Sequence, residues 1–363
     1  MLSSANELSI NTTEKKSKAG RVDNMLQKIN VQRRVRFVMP VLVFAWVFAS
    51  VFAGVLNETG QAAPPRVSAS AYVLMDADSG KVLAARNPYE RRAPASLTKI
   101  MTALVALENA SLDETVSVSY RAARLGGSTL GVQAGERVEL WKIMYGMLFR
   151  SGNDAALAIA ESIGGSQARF AQLMNEKARK LGAYNTSFMN PHGLPQAGHY
   201  STAYDMAIIT RAALQNEVFA KIVGRTERSV IWDNDERGIV NINKFLSQYS
   251  GATGVKTGYA SVAGYCLAAS ATRDGRNLIA ILLNDRSSDA RWYDAARLMD
   301  YGFQNYQALV SAPPSLRNVY TVRSGETLWD IADRLGVSVA NLIRQNGLRD
   351  PDSIYPGQKL YLP

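Results

Sequence analysis

The sequence predicts a mixed α/β (α+β) protein, an antiparallel sheet flanked by helices, followed by a small βααβ module. Three observations predict it. Strand-like runs open the central stretch at Ala71–Asp76 and Lys81–Arg86 and close it at Gly254–Ala260, Gly264–Ala271 and Asn277–Leu283. A long helical region lies between them, from Ser96 to about Arg179. The last stretch, Val319 to Pro363, reads strand, helix, helix, strand. The chain has 363 residues, 47% hydrophobic and 20% charged, enough for two or three folded units.

Residues 1–36 hold eight Lys/Arg against Glu7, Glu14 and Asp23, so +5 of the +10 formal charge sits in a tenth of the chain. They show no apolar period and read as a polar, disordered tail on the cytoplasmic side. Phe37 to Leu56, FVMPVLVFAWVFASVFAGVL, has no charge over twenty residues. At ~1.5 Å per residue it is long enough to cross a bilayer core. It is either a retained transmembrane anchor or a cleaved signal peptide, and both place the remainder outside the cytoplasm. A basic tail directly before an apolar run points to targeting or the membrane, not to nucleic acid.

Residues 57–66, with Pro64-Pro65, read as a linker, 67–306 as the main domain, 307–318 as a second linker and 319–363 as the terminal module. In the main domain Asp78-Ser79-Gly80 turns the first two strands, and Arg273-Asp274-Gly275-Arg276 turns the last two. An amphipathic helix from about Ser288 to Phe303 closes it. Both ends of this domain therefore build one sheet. A lone cysteine, Cys266, excludes an internal disulfide and alternates within a strand as a core residue. His192 and His199 have no acidic cluster beside them, so no metal centre and no cofactor are expected.

Three short motifs carry chemistry. Ser96-Leu97-Thr98-Lys99 opens an apolar helix, with Ser96 and Lys99 three apart and on one face. A serine at a helix start meets free N–H groups, and a buried lysine beside a second cation loses proton affinity and can act as a base. On its own, the pair is a capping serine and a surface lysine. Ser151-Gly152-Asn153 lies between two helical stretches, where such a tripeptide is ordinarily a turn. Lys256-Thr257-Gly258 lies in a strand, where Gly258 permits close backbone approach and the preceding pair offers donors to a carboxylate.

In this order and on these elements, the three motifs resemble those of the penicillin-recognising serine enzymes. The longer surroundings resemble, more narrowly, the low-molecular-mass D-alanyl-D-alanine carboxypeptidases. They are Arg92-Ala-Pro-Ala-Ser-Leu-Thr-Lys-Ile-Met-Thr-Ala103, Phe188-Met-Asn-Pro-His-Gly-Leu-Pro195 and Gly251-Ala-Thr-Gly-Val-Lys-Thr-Gly-Tyr259. The resemblance covers about residues 67–303. It implies a β-lactamase/transpeptidase-like fold with an all-helical lobe. It also implies that Ser96 is the nucleophile and Lys99 its base. Ser151 relays a proton, and Asn153 holds Lys99 and the substrate amide. Lys256 and Thr257 bind the terminal carboxylate, while Ser96 and Tyr259 offer oxyanion N–H groups. The substrate pairs with the strand containing Gly258, and Arg291, at the start of the last helix, supports the carboxylate. The implied substrate is the peptidoglycan stem peptide, with β-lactams as acylating inhibitors. A D,D-endopeptidase, a β-lactamase and a catalytically idle wall-binding protein share the motifs. A Ser-His-Asp triad using His192 or His199 is rejected, because Ser96 already has a partner one turn away. Unlike many relatives, the chain has only a short Pro-containing segment after Phe303, which leaves anchoring to the N-terminal segment.

In the terminal module an alternating run from Val319 leads to a helix with Leu328, Ile331, Ala332 and Leu335 inward. Gly336 stops it, a second helix carries Val339, Leu342 and Ile343, Asn346-Gly347 turns the chain, and Ile354–Tyr361 returns as a strand. This plan resembles a LysM domain over its whole length. The resemblance implies N-acetylglucosamine-containing glycan as a partner, with Gly325, Glu326, Thr327, Asn346, Gly347 and Leu348, as far as Asp350, lining the groove.

Overall fold

The computed structural model describes residues 63–232, 235–312, 319–335, 337–346, 348 and 350–362. The basic tail and the apolar segment 37–56 lie outside them. Among the described residues, no helix is long and apolar enough to cross a membrane.

Five strands form the central sheet: β1 (Ala71–Asp76), β2 (Val82–Arg86), β7 (Ala252–Ala260), β8 (Gly264–Arg273) and β9 (Arg276–Asp285). Their order is β2-β1-β9-β8-β7, antiparallel throughout, with Val73 opposite Ile281 and Lys256 opposite Ala268. Strands from the two ends of the domain thus lie side by side in one sheet, joined at the β1–β9 pair, and β7 lies at the sheet's edge. The two-residue turn between β8 and β9 uses Asp274 and Gly275, both at positive φ (50° and 71°), the backbone that a tight hairpin demands. Leu278 through Leu283 are all buried, so both faces of the central strand are covered. Alternation sorts them. Val73, Met75, Ile279 and Ile281 join the core of the helical lobe. Leu74 and Leu278 face Gly302 of the last long helix instead, so closely that a Cβ there would lie 2.7 Å from Leu278.

The helical lobe comprises α1 (Thr98–Asn109), α2 (Tyr120–Ala123), α3 (Leu140–Phe149), α4 (Asn153–Gly164), α5 (Gln167–Leu181), α6 (Ala203–Leu214) and α7 (Glu217–Val223). Thr98 through Ala106 are all buried, so α1 is the hydrophobic axis of the lobe. The region from Ser96 to Arg179 is not continuous helix. β3 (Thr115–Ser117) and β4 (Arg137–Glu139) pair within it, because turn residues such as Gly131 and Gly135, both at positive φ, reverse the chain. A second hairpin, β5 (Glu227–Trp232) with β6 (Asp235–Val240), also lacked a sequence signal strong enough to name it.

After the short α8 (Phe245–Gln248) and the three sheet strands, α9 (Ser288–Gln304) packs on the sheet, its start capped by Ser287. The segment read as a connector from residue 307 begins as α10 (Tyr306–Ser311). Its buried Leu309 and the Lys81 ammonium on the Val310 and Ala312 carbonyls fasten it to the sheet.

The terminal module has β10 (Val319–Thr321), α11 (Leu328–Leu335), α12 (Val339–Asn346) and β11 (Lys359–Tyr361), with the two strands antiparallel. Val322, Leu328, Ile331, Ala332, Val337, Leu342, Leu360 and Leu362 form its core, while Leu335, Val339 and Ile343 pack around it.

Candidate active site

Ser96 lies in a single 3-10 turn, Ala95–Leu97, that leads into α1. Ala95 has φ 48°, a left-handed conformation that costs an L-residue about 1–2 kcal/mol. The neighbours hold it there. Gly193, at φ 85°, packs so tightly on the Ala95 carbonyl that an added Cβ would sit 1.9 Å from its oxygen. Thr98 Oγ1 donates to the same carbonyl at 2.8 Å.

Lys99 is fully buried, one turn on from Ser96. Its Nζ is 3.0 Å from Ser96 Oγ, 2.8 Å from Asn153 Oδ1 and 2.6 Å from the His192 carbonyl. Burial and the nearby Lys256 ammonium hold the Lys99 amine well below its ordinary value, only partly offset by Asp154. A lysine so placed sheds its proton easily and can accept one from a serine hydroxyl.

Asn153 starts α4 and is oriented from its other end, since Nδ2 donates to the Gly126 carbonyl at 2.9 Å. Ser151 precedes it in the same turn, buried and at φ 61°. The next residue, Asp154, is one that motif reasoning missed. Its buried carboxylate accepts the backbone N–H groups of Leu130, Gly131 and Val132, tying that loop to the Asn153 turn. The signal was present as an acid in the first turn of a helix, which commonly satisfies loose N–H donors.

The 188–195 segment also gains a reason. Thr102 Oγ1 donates to the Pro191 carbonyl at 2.6 Å, and Lys99 to that of His192, so this segment runs along α1. His192 and His199 shape it. His192 Nδ1 accepts from Leu194 N–H, and His199 Nδ1 from Met189 N–H. Burial lowers the two imidazoles to about 3 and about 4, so both are neutral at physiological pH.

Strand β7 forms the opposite wall. A Cβ added to Gly258 would lie 3.2 Å from Ser96 N and 3.3 Å from Ala95 Cβ, so the strand crosses directly beside the serine turn. Lys256 and Thr257 are buried, and Lys256 Nζ donates to the Thr257 carbonyl at 2.9 Å. Burial, reinforced by the Arg291 charge, lowers the Lys256 ammonium to about 7. Arg291 reaches β7 from α9, its Nη1 3.3 Å from the Gly258 carbonyl and its guanidinium 4.3 Å over the Trp292 ring. Tyr259 is exposed, its ring against Tyr265, and Cys266 is buried opposite Gly258. The structure therefore brings together Ser96, Lys99 and Asn153, and sets Gly258 and Arg291 at the same wall.

In the terminal module, Glu326 accepts from the Tyr320 hydroxyl, Arg323 N–H and Arg334. Thr327 and Asp330 cap one another at the start of α11. These side chains brace the first loop, whose Gly325 has φ 82°. Asn346 clamps the second, donating to the Leu342 and Tyr361 carbonyls and accepting from Tyr361 N–H. Leu348 is partly buried on the module's core, and Gly347 lies outside the described residues.

Comparison with known proteins finds two families in the chain. Residues 58–287 match the D-alanyl-D-alanine carboxypeptidase family model, and residues 320–363 match that of the LysM domain. The D-alanyl-D-alanine carboxypeptidase DacF of Bacillus subtilis is 40% identical over 245 residues, 66% of this chain and 63% of that protein. DacB2 of Mycobacterium tuberculosis, of the same description, is 36% identical over 263 residues, 71% of this chain and 90% of that protein. The chain spans about two thirds or less of the first two such relatives, 63% and 65%. Among solved structures, the Streptomyces K15 DD-transpeptidase superposes with a TM-score of 0.64 at 33% identity, covering 67% of this chain and 99% of that one. A D-alanyl-D-alanine carboxypeptidase from Mycobacterium tuberculosis gives 0.65 at 35%, covering 68% and 94%. In fold and constellation the chain is of the penicillin-binding, serine-peptidase class. It belongs to the D-alanyl-D-alanine carboxypeptidase family and carries a LysM domain at its C-terminal end.

Proposed function

We propose that the protein is an exported serine-type D-Ala-D-Ala carboxypeptidase that removes the terminal D-Ala from peptidoglycan stem peptides through an acyl-enzyme. The observation that carries this reading is the contact between a fully buried Lys99 amine and the Ser96 hydroxyl, beside a strand free to pair. Neutral Lys99 takes the Ser96 proton as Oγ attacks the carbonyl carbon of the penultimate residue. The N–H groups of Ser96 and Tyr259 stabilise the resulting oxyanion, each worth about 3–4 kcal/mol of barrier. Ser151 passes a proton to the departing D-Ala amine. Water then cleaves the Ser96 ester, with Lys99 again as base.

The substrate extends the sheet as an added antiparallel strand on β7. Its terminal carboxylate meets Lys256 and Thr257, with Arg291 adding positive charge behind them. Asn153 fixes Lys99 through Oδ1 and offers its amide to the substrate. A β-lactam imitates the dipeptide amide and leaves a persistent ester. The LysM domain holds the enzyme on glycan, raising the local concentration of stems even where each sugar contact is weak. The apolar segment 37–56 directs export, as an anchor or as a cleaved signal.

Release of D-Ala from a pentapeptide ending in D-Ala-D-Ala tests this reading. Wild type should release one D-Ala per stem and Ser96→Ala none. Equal release by both would exclude Ser96 as nucleophile, and cleavage of crosslinked dimers alone would make the enzyme an endopeptidase.

A further inference from the structure

The terminal module rests on the peptidase domain. Tyr89, just after β2, packs on the hydrophobic core of both. Asn185, after α5, is buried and bonds across the boundary, its Nδ2 donating to the Leu335 carbonyl at the end of α11, 3.1 Å away. Beside this contact opens a cavity of about 400 Å³. Its walls are Arg91, Tyr184 and Asn185 of the peptidase domain, with Trp329, Asp333, Ser338 and aliphatic residues of the module. Small-ligand sites of roughly 300–1,000 Å³, with aromatic walls and a few convergent polar groups, favour such domain boundaries. None of the lining residues belongs to the serine site or to the module's two loops at 325–327 and 346–350.

Two large aromatic side chains flank the cavity and stay open to solvent, Trp329 at 65% exposure and Tyr184 at 46%. Such rings keep a flat apolar face ready for a ligand that has one. The polar groups around them are fixed in place. Asn185 Oδ1 accepts from Arg91 Nε and Nη2 at 3.2 and 2.9 Å, and the guanidinium lies 4.7 Å over the Tyr200 ring. Arg91 is thereby held in one plane, with Nη1 left to donate. Ser338 Oγ accepts from Asn341 N–H at 2.9 Å, which leaves its own proton for a partner. Asp333 is exposed and supplies an acceptor. Arg91 and Asp333 bring one charge of each sign, so the lining carries no net charge.

We infer that this interdomain cleft is a second saccharide site, separate from the module's two loops, which seats a neutral pyranose of the glycan strand between Trp329 and Tyr184. This rests on the reading of the LysM domain as a glycan binder. A pyranose has apolar C–H faces that cover the two rings. Its edge hydroxyls accept from Arg91 and Ser338 and donate to Asp333. Because the walls come from both domains, a sugar held there favours the docked arrangement over any other. The LysM domain then acts as part of one glycan-binding platform with the peptidase domain, beyond its role as a tether.

The test is titration calorimetry of the full chain with N-acetylchitohexaose, a soluble neutral glycan. Tyr184→Ala and Trp329→Ala should each weaken binding about tenfold. Tyr184→Ala decides, because Tyr184 belongs to the peptidase domain and a LysM domain binding through its loops alone would not register its loss. Tyr184→Trp should restore affinity. Both Tyr184 variants should release D-Ala from a sugar-free pentapeptide at the wild-type rate, which reports an intact peptidase domain. Wild-type affinity in Tyr184→Ala would overturn the inference and leave the LysM reading standing. So would a loss that Tyr184→Trp does not restore, or one matched by an equal fall in D-Ala release. Weakened binding of the sugar-free pentapeptide in place of the hexaose would make the cleft a peptide site and the inference wrong. If wild type bound no hexaose, the LysM reading would fall, and this inference with it.

Discussion

The Lys99 amine lies 3.0 Å from the Ser96 hydroxyl, and Lys99 is completely enclosed by protein. A charged ammonium in that position would carry a large desolvation cost, and Lys256 nearby adds repulsion. The fold thus pushes Lys99 towards its neutral, basic form. Asn153 Oδ1 and the His192 carbonyl orient it without giving it a counter-charge.

Removing that base should stop acylation without unfolding the lobe. Lys99→Ala is expected to slow penicillin acylation by about 10²–10⁴, the range usual for a general base. Asn153→Ala should slow it less, by misplacing Lys99. Stopped-flow or gel-based labelling at fixed penicillin concentration checks both. An unchanged rate in Lys99→Ala would assign the base elsewhere.

The two lysines must be in opposite states, and this gives the pH profile its signs. Lys99 works deprotonated, so kcat/KM falls as pH drops through its lowered value. Lys256 works protonated, and it titrates at about 7, so kcat/KM falls again as pH rises through that point. In Lys256→Arg the guanidinium keeps its charge, and the alkaline limb should disappear between about pH 7 and pH 9. Persistence of that limb in the variant would assign it to another group.

Close approach makes two glycines sensitive in different ways. Gly258→Ala places a methyl 3.2 Å from Ser96 N and 3.3 Å from Cys266 Cβ. It should widen the gap between β7 and the serine turn, costing about tenfold in acylation with a small change in Tm. Gly193→Ala combines φ 85° with an overlap on the Ala95 carbonyl. We expect it to lose about 2 kcal/mol or more of stability. Thermal unfolding and acylation rates, measured side by side, separate the two.

Asp154 supports the site from behind. Asp154→Ala strips an acceptor from the N–H groups of Leu130, Gly131 and Val132, at a cost on the order of 3 kcal/mol. Acylation should drop as well, because Asn153 adjoins the freed loop. Hydrogen exchange at residues 130–132 should rise in the variant, and unchanged exchange would refute the bracing role.

The sheet and the main motifs were legible from sequence because their signals are local. The strand-like runs of β7, β8 and β9, the Asp274-Gly275 turn and the apolar faces of α1 need no knowledge of distant partners. The supports of the site were not legible for the opposite reason. Lys99 reaches the His192 carbonyl across 93 positions, and Asp154 takes N–H groups from a loop 22 to 24 residues earlier. These bonds use backbone atoms, which carry no residue-type signature. The β3–β4 and β5–β6 ribbons were missed because their strands are short or only partly buried. The helix at Tyr306–Ser311 was missed because a following Pro-Pro pair reads as a break.

Intact mass after exposure to benzylpenicillin tests the central relationship most directly. The account predicts one stable increment equal to the whole penicillin, located on the peptide bearing Ser96 and absent from Ser96→Ala. An unmodified wild type, or an adduct that survives in Ser96→Ala, would contradict it.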